Sequence, residues 1–359
     1  MFLEFVYPLT KYFTPLNVFV YLTFRGAYAA LTTLLIAYIF GPPVIEALRK
    51  LKIGQAVRTD GPATHLAKNG TPTMGGIMII ASILIAMLFW QDIKNPKVIL
   101  VAITLVAFGF IGFVDDYLKV TRRNSAGLPA WAKLAGQFAV AIGIVVFLYF
   151  EGGEEITCLY LPFFKNPVVD MGFLWIPFAV LLIVGESNAV NFSDGLDGLL
   201  GGLLIMVFIA LAIVCYLSGR SDYSSYLGIP YIQGSGELTI FCLAAAGACI
   251  GFLWYNTTPA DWFMGDVGSL SMGGVIATVS LIIKKEILVL IIGGVFVLEI
   301  LSVVIQVASY KLRKKRIFKM APLHHHYELS GLAESKIVVR FWILGGLFAI
   351  IALSTLKIQ

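Results

Sequence analysis

Apolar residues do not alternate along this chain; they gather in long unbroken runs separated by short polar clusters. A bilayer core about 30 Å thick is crossed by roughly 20 apolar helical residues, and that ruler marks about ten candidate spans. They fall near 18–40, 75–90, 98–114, 132–150, 173–190, 199–217, 238–255, 267–283, 287–309 and 338–356. Continuous runs predict helices and argue against a barrel, whose strands would alternate. The expected fold class is all-α: a polytopic integral membrane protein, one transmembrane domain over 1–359. An even number of spans puts both termini on the same side.

Composition sharpens this picture. Only 13% of residues are charged, about half the share usual in soluble domains, which excludes an ordinary soluble class. Four cysteines form no CxxC pair, and Cys215, Cys242 and Cys249 sit inside apolar runs, so neither a disulfide framework nor a zinc site is expected. Glu4 near the start, with no basic segment before the first run, predicts a retained anchor, not a cleaved signal.

The net charge of +5 is unevenly placed, which suits orientation in a membrane and gives no reason to expect a nucleic-acid partner. Odd-numbered loops carry Arg49, Lys50, Lys52, Arg58 and Lys68, then Lys119, Arg122 and Arg123, and later the run from Lys311 to Lys319. Even loops and termini hold fewer. The positive-inside rule then makes the odd loops cytoplasmic and both termini periplasmic. The polar clusters that could do chemistry also fall at odd loops, 41–74, 115–131, 191–198, 256–266 and 310–337, and so share one face.

Within those loops the residue types are specific. Asp115 and Asp116 close the third span with Lys119 one turn on; the pair reads either as a solvated interfacial cluster or as functional acids at membrane depth. Neighbouring aspartates on a helix diverge by about 100°, which would let one ligate a metal and the other position a second group. Asp266 lies in Met264-Gly-Asp-Val-Gly-Ser269 before the eighth span, either an N-cap or a ligand; with the other two it could hold Mg2+, an ion that prefers oxygen donors.

Asn188, Asn191, Asp194 and Asp197 recur every three residues, which drifts round a helix, and Gly195 and Gly198 suggest a break that is either a tight turn or a pocket wall. His324, His325 and His326 are consecutive and cannot all face one ligand from a helix; they fit a polar turn or an anion site beside the basic run. Phe263 reads as interfacial packing or as a platform for a nucleobase. Glu299 and Arg25 are ionisable groups within spans, where function, pairing or snorkelling are all open.

Taken in order, Thr71-Pro-Thr-Met-Gly-Gly76, Asp115-Asp116, Asn188 to Gly198, Met264 to Ser269 and Ala321-Pro-Leu-His-His-His326 resemble the polyprenyl-phosphate N-acetylhexosamine-1-phosphate transferases over nearly the whole chain. The three histidines followed by Glu328 resemble the branch that handles MurNAc-pentapeptide. The resemblance implies ten helices, a homodimer in the bacterial cytoplasmic (inner) membrane, and an active site facing the cytoplasm. It implies transfer of phospho-MurNAc-pentapeptide from UDP-MurNAc-pentapeptide to undecaprenyl phosphate, giving lipid I and UMP in peptidoglycan synthesis.

By matching motif positions it also implies site residues. Asp266 would bind Mg2+ together with Asp115, while Asp115, Asp116, Asp266 and His324 would form the catalytic centre. Lys68, Thr73, Lys119, His324, His325 and His326 would hold phosphates or sugar; Asn188, Asp194, Gly195, Leu196, Asp197, Asn256, Phe263 and Gln306 would line the nucleoside pocket. A GlcNAc-1-phosphate transferase would keep the aspartates and change the histidines. A secondary transporter would place its acids at mid-membrane in inverted repeats, which the sequence does not display.

Overall fold

The computed structural model describes residues 6, 8–50, 70–122 and 127–357. Lys68 lies outside the described residues. The α-helices bounded among the described residues are, in order, α1 (Leu22–Lys50), α2 (Gly76–Trp90), α3 (Pro96–Arg122), α4 (Ala130–Glu151), α5 (Trp175–Phe192), α6 (Leu199–Ser218), α7 (Ser221–Leu227), α8 (Gly236–Asn256), α9 (Gly265–Ile282), α10 (Glu286–Ile292), α11 (Gly294–Arg313), α12 (Leu323–Glu328) and α13 (Glu334–Ser354). A two-stranded antiparallel ribbon, β1 (Cys158–Leu159) with β2 (Val169–Asp170), is the sheet among the described residues. The chain is thus a helical membrane protein, as the apolar runs imply.

Nine helices among the described residues are long and apolar enough to cross a bilayer. The second expected span is α2, an apolar helix of 15 residues, which at 1.5 Å per residue is about 22 Å long. The expected span over 287–309 is two helices: the chain breaks at Gly293, and Gly294 lies so close to the Phe348 ring that a Cβ there would collide with it. α1 runs on to Lys50 through Pro42 and Pro43, a pair that helices in membranes tolerate. α3 likewise continues to Arg122, so Asp115 and Asp116 lie inside the helix instead of closing it.

The packing centres on α9, where every residue from Val267 to Ile282 is buried. Small side chains make this possible. At Gly76 a Cβ would strike the Gly268 backbone, and at Gly112 it would strike the carbonyl of Asp266; α2 and α3 therefore reach the start of α9 in direct backbone contact. The periphery is the reverse of a soluble protein, with Ile39, Phe110, Phe150, Ile343 and Ile350 exposed, as expected where hydrocarbon is the solvent.

Two buried charge pairs brace the bundle. Arg25 is buried in α1 and grips Glu237 of α8 through two bonds, at 2.7 and 3.0 Å, while also donating to the Trp90 carbonyl at 3.1 Å. Glu237 in turn accepts the Asp92 N–H. This joins α1, the end of α2 and the start of α8, and resolves the reading of Arg25 in favour of pairing. At the same end of the bundle, Lys284 donates to Glu286 and to the Ile156 carbonyl and stands over the Trp175 ring, anchoring the connection that carries the ribbon.

Removing one member of the Arg25 pair strands the other. Arg25→Ala is expected to destabilise the protein by about 3–5 kcal/mol in detergent unfolding, and the double substitution Arg25→Met with Glu237→Leu to recover most of it. Equal losses in the two variants would show that the contacts of the arginine stem, not its charge, matter there.

Candidate active site

Three carboxylates meet where the last turns of α3 reach the first turn of α9. Asp115, Asp116 and Asp266 each bring an oxygen within 4.8 Å of the other two. Asp266 approaches on a separate helix, through the gap left by Gly112, and an oxygen of each α3 acid lies near it. Lys119 Nζ lies 2.6 Å from Asp115, 3.2 Å from Asp116 and 3.0 Å from Asp266, closing the group from within α3.

Other elements fix the acids. Asp115 accepts the Leu128 N–H at 2.8 Å and Asp116 the Val267 N–H at 3.3 Å. Asn191, on the last turn of α5, donates to both Asp266 Oδ1 and Ser269 Oγ at 2.8 Å. Lys133, in the first turn of α4, reaches Asp266 at 2.6 Å. Sequence reasoning missed Lys133. Its signal was a lone cation at the start of an apolar run, where the helix dipole disfavours positive charge and an acceptor must offset it.

The Thr71 motif joins the same place through its backbone. Gly75 and Gly76 donate to the carbonyls of Phe263 and Met264, and Phe263 N–H returns a bond to Pro72. Thr73 is buried beside Asp116, both side chains lying against Gly265, whose positive φ of 72° no bulkier residue would hold easily. Phe263 is half-buried next to this stitched segment.

The break between α5 and α6 has the expected form, with Gly198 at φ 79° opening α6. Asp194 is half-buried there, while Leu196 packs into the core. Asp197 accepts the Ala260 N–H and its own N–H bonds Glu334; Asn256 bridges Gly198 N–H to the Trp262 carbonyl. Gln306 accepts from Ile317 and Phe318 and donates back to Phe318, clasping the basic loop. Asp197, Asn256 and Gln306, read from the sequence as pocket lining, thus shape the connections around the site. Asn188 donates to the buried Gln137 of α4 at 2.7 Å, another partner the sequence did not announce.

The three histidines diverge along α12 as consecutive residues must. His324 is buried and turned toward Gly195, His325 lies 3.2 Å from Glu328, and His326 Nδ1 accepts the Lys319 N–H. His324 thereby reaches the wall that includes Asp194.

Chemically, the cluster is an all-oxygen donor set. Hard divalent cations such as Mg2+ take such donors, commonly one or two carboxylates completed by phosphate and water, so Asp115, Asp116 and Asp266 suit that ion. Two ammonium groups at its rim suit the oxygens of a polyphosphate.

Comparison with known proteins points the same way. Residues 98–284 match the family described as Glycosyl transferase family 4, and residues 68–80 match Phospho-N-acetylmuramoyl-pentapeptide-transferase signature 1. The chain is 50% identical to the phospho-N-acetylmuramoyl-pentapeptide-transferase of Thermodesulfovibrio yellowstonii over the full length of both. It is 51% identical to that of Citrifermentans bemidjiense over 99% of each chain, and 49% identical to that of Brachyspira hyodysenteriae over 100% of each.

Asp194 provides a pH signature. Burial, then the nearby carboxylates of Asp266 and Asp116, push it up from 3.8 to about 7. Because the folded value lies above the ordinary one, its contribution to stability is complete below that ordinary value, declines as pH rises, and is gone above the folded value. The unfolding midpoint of metal-free protein is expected to fall from about pH 5 to about pH 8, with a shallower fall in Asp194→Asn. Identical slopes would remove Asp194 as the cause.

Proposed function

This chain belongs to the phospho-N-acetylmuramoyl-pentapeptide-transferases, within Glycosyl transferase family 4, and from that membership we propose how its residues perform the reaction. The reaction transfers phospho-MurNAc-pentapeptide from UDP-MurNAc-pentapeptide to undecaprenyl phosphate, yielding lipid I and UMP. An oxygen of the lipid phosphate bonds to the sugar-bearing phosphorus, the pyrophosphate P–O bond breaks, and UMP leaves with that electron pair. The convergence of three carboxylates and two ammonium groups at helix ends is the observation that carries this reading.

Asp115, Asp116 and Asp266 would hold Mg2+, which when bound neutralises pyrophosphate charge and stabilises the departing UMP. Lys119 and Lys133, which pair with the acids in the free protein, would then turn to phosphate oxygens. Asp115 or Asp116 would orient the lipid phosphate or take its residual proton. That phosphate has a second pKa near 6 and is largely dianionic at neutral pH, which favours direct displacement over an aspartyl-phosphate route. Thr73, Lys68 and the histidines would hold phosphate and sugar; Asn188, Asp194, Gly195, Leu196 and Phe263 would form the nucleoside wall, with Asp197, Asn256 and Gln306 shaping it.

The orientation follows from charge. With α2 as the tenth crossing, both termini face the periplasm and the acids face the cytoplasm, beside the loops richest in Lys and Arg. The chain works as one transmembrane unit, its motifs on segments 41–74, 115–131, 191–198, 256–266 and 310–337, and as a homodimer in the inner membrane. A polyprenyl tail can then stay in lipid while its phosphate meets a soluble nucleotide sugar.

Purified protein in detergent, given undecaprenyl phosphate and UDP-MurNAc-pentapeptide, is expected to release UMP with Mg2+ and to stop with EDTA. Asp266→Asn should lose about 100-fold or more of that activity while remaining folded. Product from UDP-GlcNAc instead would overturn the substrate, and wild-type turnover in Asp266→Asn would overturn the metal assignment.

A further inference from the structure

The three acids meet at one end of α3 and α9, beside the start of α4. The opposite ends of the same three helices border a second cavity, of about 500 Å³. Lys97 and Leu100 of α3, Leu148 and Glu151 of α4, and Tyr231 and Lys284 from the connections before α8 and α10 line it. From Asp115 back to Lys97, α3 covers about 27 Å, so the cavity lies near the other boundary of the hydrocarbon layer.

Its walls are tied in place. Asn95 donates to the Gly234 carbonyl at 2.9 Å, the Ile232 N–H bonds the Ser218 carbonyl, and the buried Lys284 holds the Ile156 carbonyl at 2.6 Å. At Gly152 a Cβ would strike the Ile156 side chain, so the turn out of α4 packs directly on that wall.

Two charges in this cavity stand at the unfavourable ends of their helices. Lys97 is in the first turn of α3, where the helix dipole disfavours a cation, and Glu151 is the last residue of α4, where it disfavours a carboxylate. Neither has an ion-pair partner among the described residues. Glu155 lines the same cavity and accepts the Tyr160 hydroxyl at 3.4 Å, whereas Lys284 is already matched by Glu286 at 2.9 Å. One cation and two acids are thus left open. The lining then runs through Phe147 into apolar surface, where Ile99, Ile103 and Val146 of the same two helices are exposed.

We propose that this cavity binds the headgroup of a phospholipid that carries a primary amine. Its phosphodiester lies on Lys97, its ammonium lies between Glu151 and Glu155, and its acyl chains follow the exposed faces of α3 and α4. The phosphodiester brings the single negative charge that Lys97 lacks. A primary ammonium has three N–H donors, enough to serve two carboxylates. A quaternary amine has no N–H to give them, and a headgroup without an amine leaves both acids facing a phosphate.

Full-length protein, purified in detergent and stripped of lipid, is given phosphatidylethanolamine, phosphatidylcholine or phosphatidylglycerol with identical acyl chains, and native mass spectrometry measures the lipid retained. Phosphatidylethanolamine is expected to bind about tenfold more tightly than the other two. Glu151→Gln combined with Glu155→Gln should erase that preference, while Lys97→Gln should weaken phosphatidylethanolamine and phosphatidylglycerol alike. Equal retention of the three lipids by wild type, or an intact preference in the double acid variant, would overturn the proposal. A photo-crosslinking phosphatidylethanolamine reads the same site in wild type, so the test stands even where a variant does not fold. Its label is expected on residues 96–100, 147–156 or 230–232, and label confined to other segments would overturn the proposal equally.

Discussion

Three carboxylates held within 4.8 Å of one another are the constraint to which the rest of this bundle answers. At an effective dielectric constant of about 20, each such pair repels by about 3 kcal/mol. No single helix could offset that. Lys119 does so from inside α3, Lys133 from the start of α4, and Asn191 from the end of α5. The acids are thus compatible only when four helix ends arrive together, and the absence of side chains at Gly76 and Gly112 lets them arrive.

Around this centre, polar side chains act on backbone. Asp197, Asn256 and Gln306 bond to N–H and C=O groups of the connections between helices, and Glu299 does the same at Leu323. Within a membrane, backbone that leaves the helix must find partners inside the protein. A connection satisfied by a buried side chain is held in one shape, and the residues beside it inherit that shape. Fixing the loops and building the pocket are the same task.

Much of this was legible in the sequence. Apolar runs located the helices because their length and continuity answer to bilayer thickness, and the clustering of polar residues at alternate loops singled out the three aspartates that meet. The helix ends were harder. α3 extends past its apolar run because Lys119 compensates the two acids, and a hydropathy ruler cannot register that pairing. The division of the 287–309 segment depends on Phe348 packing against Gly294, a contact from the far end of the chain. Lys133 and Gln137 were passed over for the same reason: each is an isolated polar residue near the start of an apolar run, and its meaning lies in Asp266 and Asn188 on other helices.

The backbone stitching of residues 72–76 to residues 263–264 has a consequence in time. A chain inserted from its N-terminus delivers Asp115 and Asp116 to the membrane long before Asp266 exists. Until then Lys119 alone compensates them, and the Thr71 motif has no strand-like partner to bond. The three-acid cluster is therefore a late product of synthesis, completed only when α9 threads between helices already in place, and a ribosome that stops short of residue 266 leaves a set of helices without it.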